Sequence, residues 1–296
     1  MEFKDDAPAA LFEYHRRPSL ASFLWSLWLK MPVQLRSLAY QALQRFGSAT
    51  SSPFVMRLPF RLVMKTRSIR VVEALSTQLV GTQTTIPVPT ILDVIHTPSQ
   101  DGTGVCVLMT ELPGRSMLAL AREGIDLTAL SNEQASTLSD TLHEWLLQLR
   151  ALAPPSNEMV SGIASTSFVS YRLSHSHSVG PFRTMQAFHE QTCLRVRRAD
   201  GPEAHILGAA RDQKAYRLCF THGDLTPGNI LVNSDYRPVG LVDWECAAWL
   251  PEYWEIVSSV AQCPRSTEWR NMFRSLFPMY DNELALDRML WKYSNF

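Results

Sequence analysis

The sequence predicts an α+β fold in two parts: a small antiparallel-sheet part first, then a larger and mainly helical part. Three observations carry this. Runs of β-type residues, among them Arg61 to Lys65 and VCVLMTEL from Val105, concentrate before Leu112. Beyond Leu130 the apolar residues Leu138, Leu142, Trp145, Leu146 and Leu149 recur at helical spacing. Late in the chain two short β runs, Ile230 to Val232 and Val239 to Val242, flank the turn-rich Asn233-Ser234-Asp235 and predict a hairpin within the helical part. The 296 residues are 46% hydrophobic and 19% charged, enough apolar material for a sizeable core.

The elements follow in order. The first 45 or so residues read as helical and partly apolar. Within them LASFLWSLWL (Leu20 to Leu29) is ten residues long, about half of the ~20 needed to span a bilayer, so no integral membrane segment is expected. The preceding residues open acidic and lack the basic start of a secretory signal. Trp25, Trp28 and Leu29, sharing a helical face with Leu24, predict an amphipathic segment that docks on the body of the protein or on a partner, with membrane-surface contact the lesser reading. FGSATSSP (Phe46 to Pro53) breaks the pattern. A hairpin or kinked pair, Phe54 to Leu58 and Arg61 to Lys65, surrounds Pro59, and Val71 to Val80 has helical spacing. TQTTIPVPTILDVI leads into a strand, and SQDGTG (Ser99 to Gly104) turns into the next, which Gly114 ends. After the long helix over Leu130 to Leu152 comes a Ser- and His-rich passage. Its His175 and His177 lack the further ligands that a metal site needs, so a solvated loop is expected there. A second helix is expected over Thr184 to Arg197.

Charge and cysteines narrow the class. Lys+Arg and Asp+Glu are 28 each, and a net charge of zero gives no electrostatic footprint for nucleic acid. The five cysteines form no CxxC pair and are odd in number, which argues against a zinc site or a disulfide framework. Buried free thiols in a reducing compartment, and hence a cytoplasmic location, are expected.

The chemistry concentrates between Leu218 and Glu255, LCFTHGDLTPGNILVNSDYRPVGLVDWECAAWLPEYWE. An apolar strand delivers His222-Gly223-Asp224; Asn229 follows five residues after Asp224, and the second hairpin strand ends at Asp243. Strand ends hold the three polar side chains at one edge, where acid and amide can converge on a shared ligand. This arrangement resembles the catalytic and metal-binding loops of protein-kinase-like phosphotransferases, H-x-D-x-x-x-x-N followed by a hairpin and an Asp. HGD, Pro227 and Asp243-Trp244-Glu245 look like the aminoglycoside phosphotransferase and choline kinase branch. The tail Trp249-Leu250-Pro251-Glu252-Tyr253-Trp254-Glu255 looks like its fungal members. Upstream, RLPFRLVMK (Arg57 to Lys65) resembles the strand ending in the nucleotide-binding lysine, and VEALSTQLVGTQTTIPVPTIL resembles the helix with its glutamate partner. VLMTELPGRSM resembles the linker between lobes, and Gly180-Pro181-Phe182 also recurs in the family. The likeness runs from about Arg57 to the C-terminus.

The resemblance implies a two-lobed protein-kinase-like fold: residues 1–45 as an N-terminal helical extension, 46–112 as the N-lobe and 113–296 as the C-lobe. It implies an ATP- and Mg-dependent phosphotransferase acting on a hydroxyl group of a small molecule. Phosphoryl transfer passes through a loose transition state, so catalysis is mostly positioning and charge neutralisation. Asp224 is then the catalytic residue that accepts or orients the hydroxyl proton, and Asn229 and Asp243 hold Mg²⁺. Lys65, fixed by Glu73, meets the α/β-phosphates, while the backbone at Thr110 and Leu112 holds the adenine. His222 orients the loop, and Trp244, Trp249 and Trp254 belong to the core or a cleft wall. In place of a glycine triplet, the Ser/Thr-rich turn Phe46 to Ser52 offers N–H groups and hydroxyls to phosphate. Arg61 stands where relatives often have Gly. The competing readings are a pseudokinase, that is, a nucleotide-binding interaction module, and an enzyme that reuses the cleft for non-phosphoryl chemistry in a biosynthetic pathway.

Overall fold

A computed structural model describes residues 20–50, 52–66, 71–99, 102–174, 178–193 and 202–292. The histidine pair at 175 and 177 and the expected helix end at 194–197 lie outside them. The N-terminal elements are α1 (Leu20–Leu29), α2 (Val33–Gln44), β1 (Ser48–Ala49), β2 (Val55–Leu58), β3 (Leu62–Thr66), α3 (Val71–Gln83), β4 (Ile91–Ser99) and β5 (Gly102–Thr110). The strands form one antiparallel sheet in the order β1-β2-β3-β5-β4.

Alternation along the strands gives this sheet two apolar faces. Val105, Val107 and Met109 of β5 pack on α3 with Val71, Ala74 and Leu75. Leu108, Cys106 and Met64 face the other way, onto Tyr40 of α2 and the indoles of α1. Trp25 Nε1 donates to the Leu92 carbonyl at 2.9 Å, and Trp28 Nε1 to the Tyr40 hydroxyl at 2.9 Å. The expected docking face therefore forms, but without Leu24, which is exposed. At about 100° per residue Leu24 lies a quarter-turn from Trp25, on the outer side of the helix. A bulge between Ile91 and Asp93 brings Asp93 to the α2 face, opposite Leu108. There it accepts from Arg36 and, at 2.7 Å, from the Tyr40 hydroxyl.

The β2–β3 connection explains Arg61. Phe60 and Arg61 have φ of 65° and 56°, the left-handed region that glycine enters without steric penalty. The Glu111 N–H donates to the Arg61 carbonyl at 2.8 Å and pins the turn.

The larger part holds β6 (Arg115–Ser116), α4 (Met117–Ala121), α5 (Asn132–Ala151), β7 (Ser161–Gly162), α6 (Met185–Cys193) and α7 (Pro202–Asp212). They are followed by β8 (Leu218–Thr221), β9 (Ile230–Val232), β10 (Pro238–Leu241), β11 (Ala248–Pro251), α8 (Trp254–Gln262), α9 (Thr267–Leu276) and α10 (Asp281–Lys292). A capping box, Ser131 with Gln134, starts α5, whose buried face is the predicted one: Leu138, Leu142, Trp145, Leu146 and Leu149. The hairpin β9–β10 pairs with β6, and β11 lies between β7 and β8. Trp244, Trp249 and Trp254 are core residues, at most 4% exposed. The whole is a two-lobed α+β fold with a small antiparallel sheet and a larger helical lobe.

Candidate active site

Lys65 is the fourth residue of β3, on the α3 side of the sheet, and Glu73 lies in the first turn of α3. The lysine Nζ donates to Glu73 Oε1 at 2.6 Å and to Asp243 Oδ1 at 2.8 Å. One ammonium thus joins the small sheet to the hairpin of the helical lobe. Burial alone would lower the Lys65 pKa, but the two carboxylates outweigh it and hold the ammonium well above an ordinary lysine. Burial pushes Glu73 the other way, up toward its neutral form, against the pull of Lys65. The two shifts conflict for one pair, and a 2.6 Å contact favours the charged form of both.

Strand β8 ends at Thr221 and hands the chain to His222-Gly223-Asp224. Gly223 has a φ of 78°, and a Cβ there would lie 2.4 Å from the Cys246 carbonyl oxygen, so only glycine fits. Burial lowers the fully buried His222 to about 4, which keeps the ring neutral. Its Nδ1 accepts from the Asp224 N–H at 3.3 Å, so Nε2 carries the proton and donates to the Val242 carbonyl at 3.0 Å. The histidine orients the loop.

Asn229 Nδ2 donates to the Asp224 carbonyl at 2.8 Å and to Asp224 Oδ2 at 2.9 Å, while its amide oxygen accepts none of the described hydrogen bonds. The Val242 N–H donates to the Asn229 carbonyl at 3.0 Å, placing Asp243 next to Asn229 at the hairpin end. Asp243 has a φ of 69°, a conformation that Asp and Asn adopt more readily than other side chains. Burial first, and then the charge of Asp243, raise the Asp224 carboxyl to about 7.

Glu73, Asp243 and Glu245 each offer a carboxylate oxygen within 4.8 Å of the others. Glu73 Oε2 is buried without a hydrogen-bond partner. Carboxylates together with the Asn229 amide oxygen are hard donors of the kind that suits a divalent cation such as Mg²⁺. Glu245 also accepts from the Tyr171 hydroxyl.

Two expected positions stand apart. Thr110, at the end of β5, exchanges hydrogen bonds with Thr90, and Leu112 packs on Gly240; no described hydrogen bond links either to Lys65, Glu73, Asp224, Asn229 or Asp243. The Ser/Thr turn is also partly committed. Thr50 Oγ1 accepts from the Ser52 N–H at 3.2 Å and donates to the Val55 carbonyl at 2.9 Å, so that hydroxyl closes the turn.

A family model described as the phosphotransferase enzyme family matches residues 43–282. The chain belongs to this family. Solved phosphotransferases share its fold. The aminoglycoside phosphotransferase APH(4)-Ia matches with a TM-score of 0.57 at 13% identity, over 88% of this chain and 87% of that one. An aminoglycoside-3'-phosphotransferase of type VIII matches with a TM-score of 0.51 at 17% identity, over 87% and 98%. A thermostable mutant of APH(4)-Ia in ternary complex with AMP-PNP and hygromycin B matches with a TM-score of 0.57 at 12% identity, over 87% and 89%. Comparison with curated protein sequences finds no match.

In this phosphotransferase-family chain one residue of the site has no local signal in the sequence. Glu255, on α8, is buried and accepts from the backbone N–H groups of His222 and, at 3.2 Å, of Gly223. Burial raises its carboxyl to about 7 against the pull of these two donors. It closes the tail motif quoted above, and only the distant pairing of β8 with β11 brings it beneath the loop.

Proposed function

We propose that the chain is an ATP- and Mg²⁺-dependent phosphotransferase acting on a hydroxyl group of a small molecule. The observation that carries this reading is the junction of Lys65 with Glu73 and Asp243 beside the Asp224–Asn229 pair. The AMP-PNP and hygromycin B bound by a solved relative are consistent with it. In this reading Lys65, held by Glu73, meets the α/β-phosphates, and the backbone near Thr110 and Leu112 receives the adenine. Asn229 and Asp243 hold Mg²⁺, which when bound neutralises phosphate charge. Residues 46–112 serve as the nucleotide lobe and 113–296 as the acceptor lobe, with 1–45 as an extension.

Asp224 accepts the acceptor proton. A carboxyl raised to about 7 is partly ionised at neutral pH, and it takes a proton more readily than an ordinary aspartate. His222 and Glu255 hold its loop from both sides.

The test is ADP release with MgATP across a hydroxylated-metabolite library, with Asp224→Asn as control, beside thermal shift with MgATP. Release that depends on both acceptor and Asp224 supports the proposal. Nucleotide saturating at about 100 Kd adds ~2.7 kcal/mol of stability. That shift without ADP release for any acceptor would replace the enzyme by a nucleotide-binding module.

A further inference from the structure

The helices α1 and α2 cover one face of the sheet and leave their own outer faces bare. On α1 the side chains of Leu20, Phe23, Leu24 and Leu27 are 74%, 59%, 55% and 44% exposed. They stand at i, i+3, i+4 and i+7, one continuous helical stripe. On α2, Leu35 and Leu38 are 46% and 60% exposed. Trp28 and Tyr40 meet in a tilted ring contact with centroids 6.2 Å apart and pack on the sheet with Trp25, so the exposed leucines and Phe23 lie on the opposite, outer sides of the two helices. Soluble chains scatter such residues singly; a stripe of this length marks a surface that binds something. Residues 20–42 precede the family-matched segment, and the exposed stripe lies on the side of α1 and α2 away from the sheet that Trp25, Trp28 and Tyr40 cover.

The charge around the stripe identifies the partner. From Leu20 to Val72 the chain has eight lysines and arginines and no acidic residue, although the whole protein is neutral. Arg36, Arg57 and Lys65 are neutralised by Asp93, Glu111 and the Glu73–Asp243 pair. Lys30, just after α1, and Arg45, just after α2, are exposed and have no carboxylate partner among the described residues. Among the described residues of α1 and α2, apolar side chains are flanked by cations and by no acidic residue, which complements an anionic bilayer surface: the chains enter the acyl boundary and the cations meet the headgroups. No helix among the described residues is long and apolar enough to cross a membrane.

We infer that α1 and α2 form an interfacial anchor that seats the protein on anionic lipid surfaces. The sheet separates the anchor from α3 and Glu73, so the candidate active site stays open to solvent when the anchor is seated. The inference does not depend on the proposed reaction.

The test is flotation of the full chain with vesicles of phosphatidylcholine alone or with about a third phosphatidylserine, at low and high salt, plus light scattering without lipid. The expected result is at least about tenfold stronger partitioning on anionic vesicles, weakened by salt. Phe23→Ser with Leu24→Ser and Leu27→Ser should abolish it without lowering the melting temperature, because these side chains support no core. Lys30→Glu with Arg45→Glu should bring it down to the neutral-vesicle level. Absence of partitioning, equal partitioning on both vesicles, or partitioning that survives the triple serine variant would each overturn the inference. So would a dimer in lipid-free solution that the triple variant disperses, since the stripe would then be covered by a second copy.

Discussion

The sheet carries a buried ionic cluster on each face, and the two are finished differently. On the α2 face Asp93 has both oxygens occupied by Arg36 and Tyr40, all within the N-terminal part of the chain. On the α3 face Lys65 joins two carboxylates from different lobes. Glu73 Oε2 has no partner, and Asp243 Oδ2 accepts none of the described hydrogen bonds. A saturated carboxylate can only hold the fold, whereas one with a vacant oxygen keeps bonding capacity for a ligand. Both clusters are charged and largely buried; the α2-face cluster leaves only Arg36 Nε unpaired, so a vacant carboxylate oxygen is what distinguishes the proposed site from it.

Substitutions test this division. The largest expected effect is at Asp243. Asp243→Asn keeps a residue suited to the left-handed backbone, where alanine would add ~1–2 kcal/mol of strain. Turnover in the ADP-release assay should fall below detection while the melting temperature holds. Next, Asp224→Asn should lower kcat by about 10²–10⁴ with nucleotide affinity unchanged by titration; a wild-type rate would reduce Asp224 to a turn residue.

The opposite face should behave in reverse. Asp93→Ala strands Arg36 among apolar side chains, and chemical denaturation should report a loss of about 3–5 kcal/mol. Turnover per folded molecule should stay at the wild-type value. A variant that keeps its stability but loses kcat would erase the distinction between the faces.

Glu255 supplies a pH test. Its folded pKa of about 7 exceeds the ~4.3 of an unfolded glutamate, so between those values the folded state binds the extra proton. Stability from this group is therefore greatest below about pH 4 and declines as pH rises toward 7. Measured from pH 5 to 8, wild type should lose on the order of 2 kcal/mol more than Glu255→Gln. The smallest effect is at the turn: Arg61→Gly relieves a left-handed backbone and should raise stability by ~1 kcal/mol.

Legibility in the sequence followed the range of the interactions. The hairpin carrying Asn229 and Asp243 was readable because strand, turn and strand are contiguous, and α5 because its period is unbroken over five apolar positions. Lys65 and Glu73 were legible only through motif resemblance, since eight residues of separation do not indicate that a strand and a helix face each other. Glu255 stands in a recognisable motif, but nothing local shows its role: the two N–H groups it accepts from lie 33 and 32 residues away. The Arg36–Asp93 pair spans 57 residues and depends on a bulge that no local pattern announces. Strand β11 was missed because AWLP is buried throughout and shows no alternation.

The covering of the sheet by α1 and α2 bears on how far shared ancestry coincides with a foldable unit. The family match begins at residue 43, inside α2. An expression fragment cut at that boundary would lose Trp25, Trp28, Arg36 and Tyr40 together. It would bare the apolar face around Leu108 and leave the Asp93 carboxylate with neither of its donors. Such a fragment should accumulate in inclusion bodies even though every residue of the proposed catalytic machinery is intact. For this chain the stretch recognisable by descent is shorter than the stretch that folds, and protein engineering has to respect the longer one.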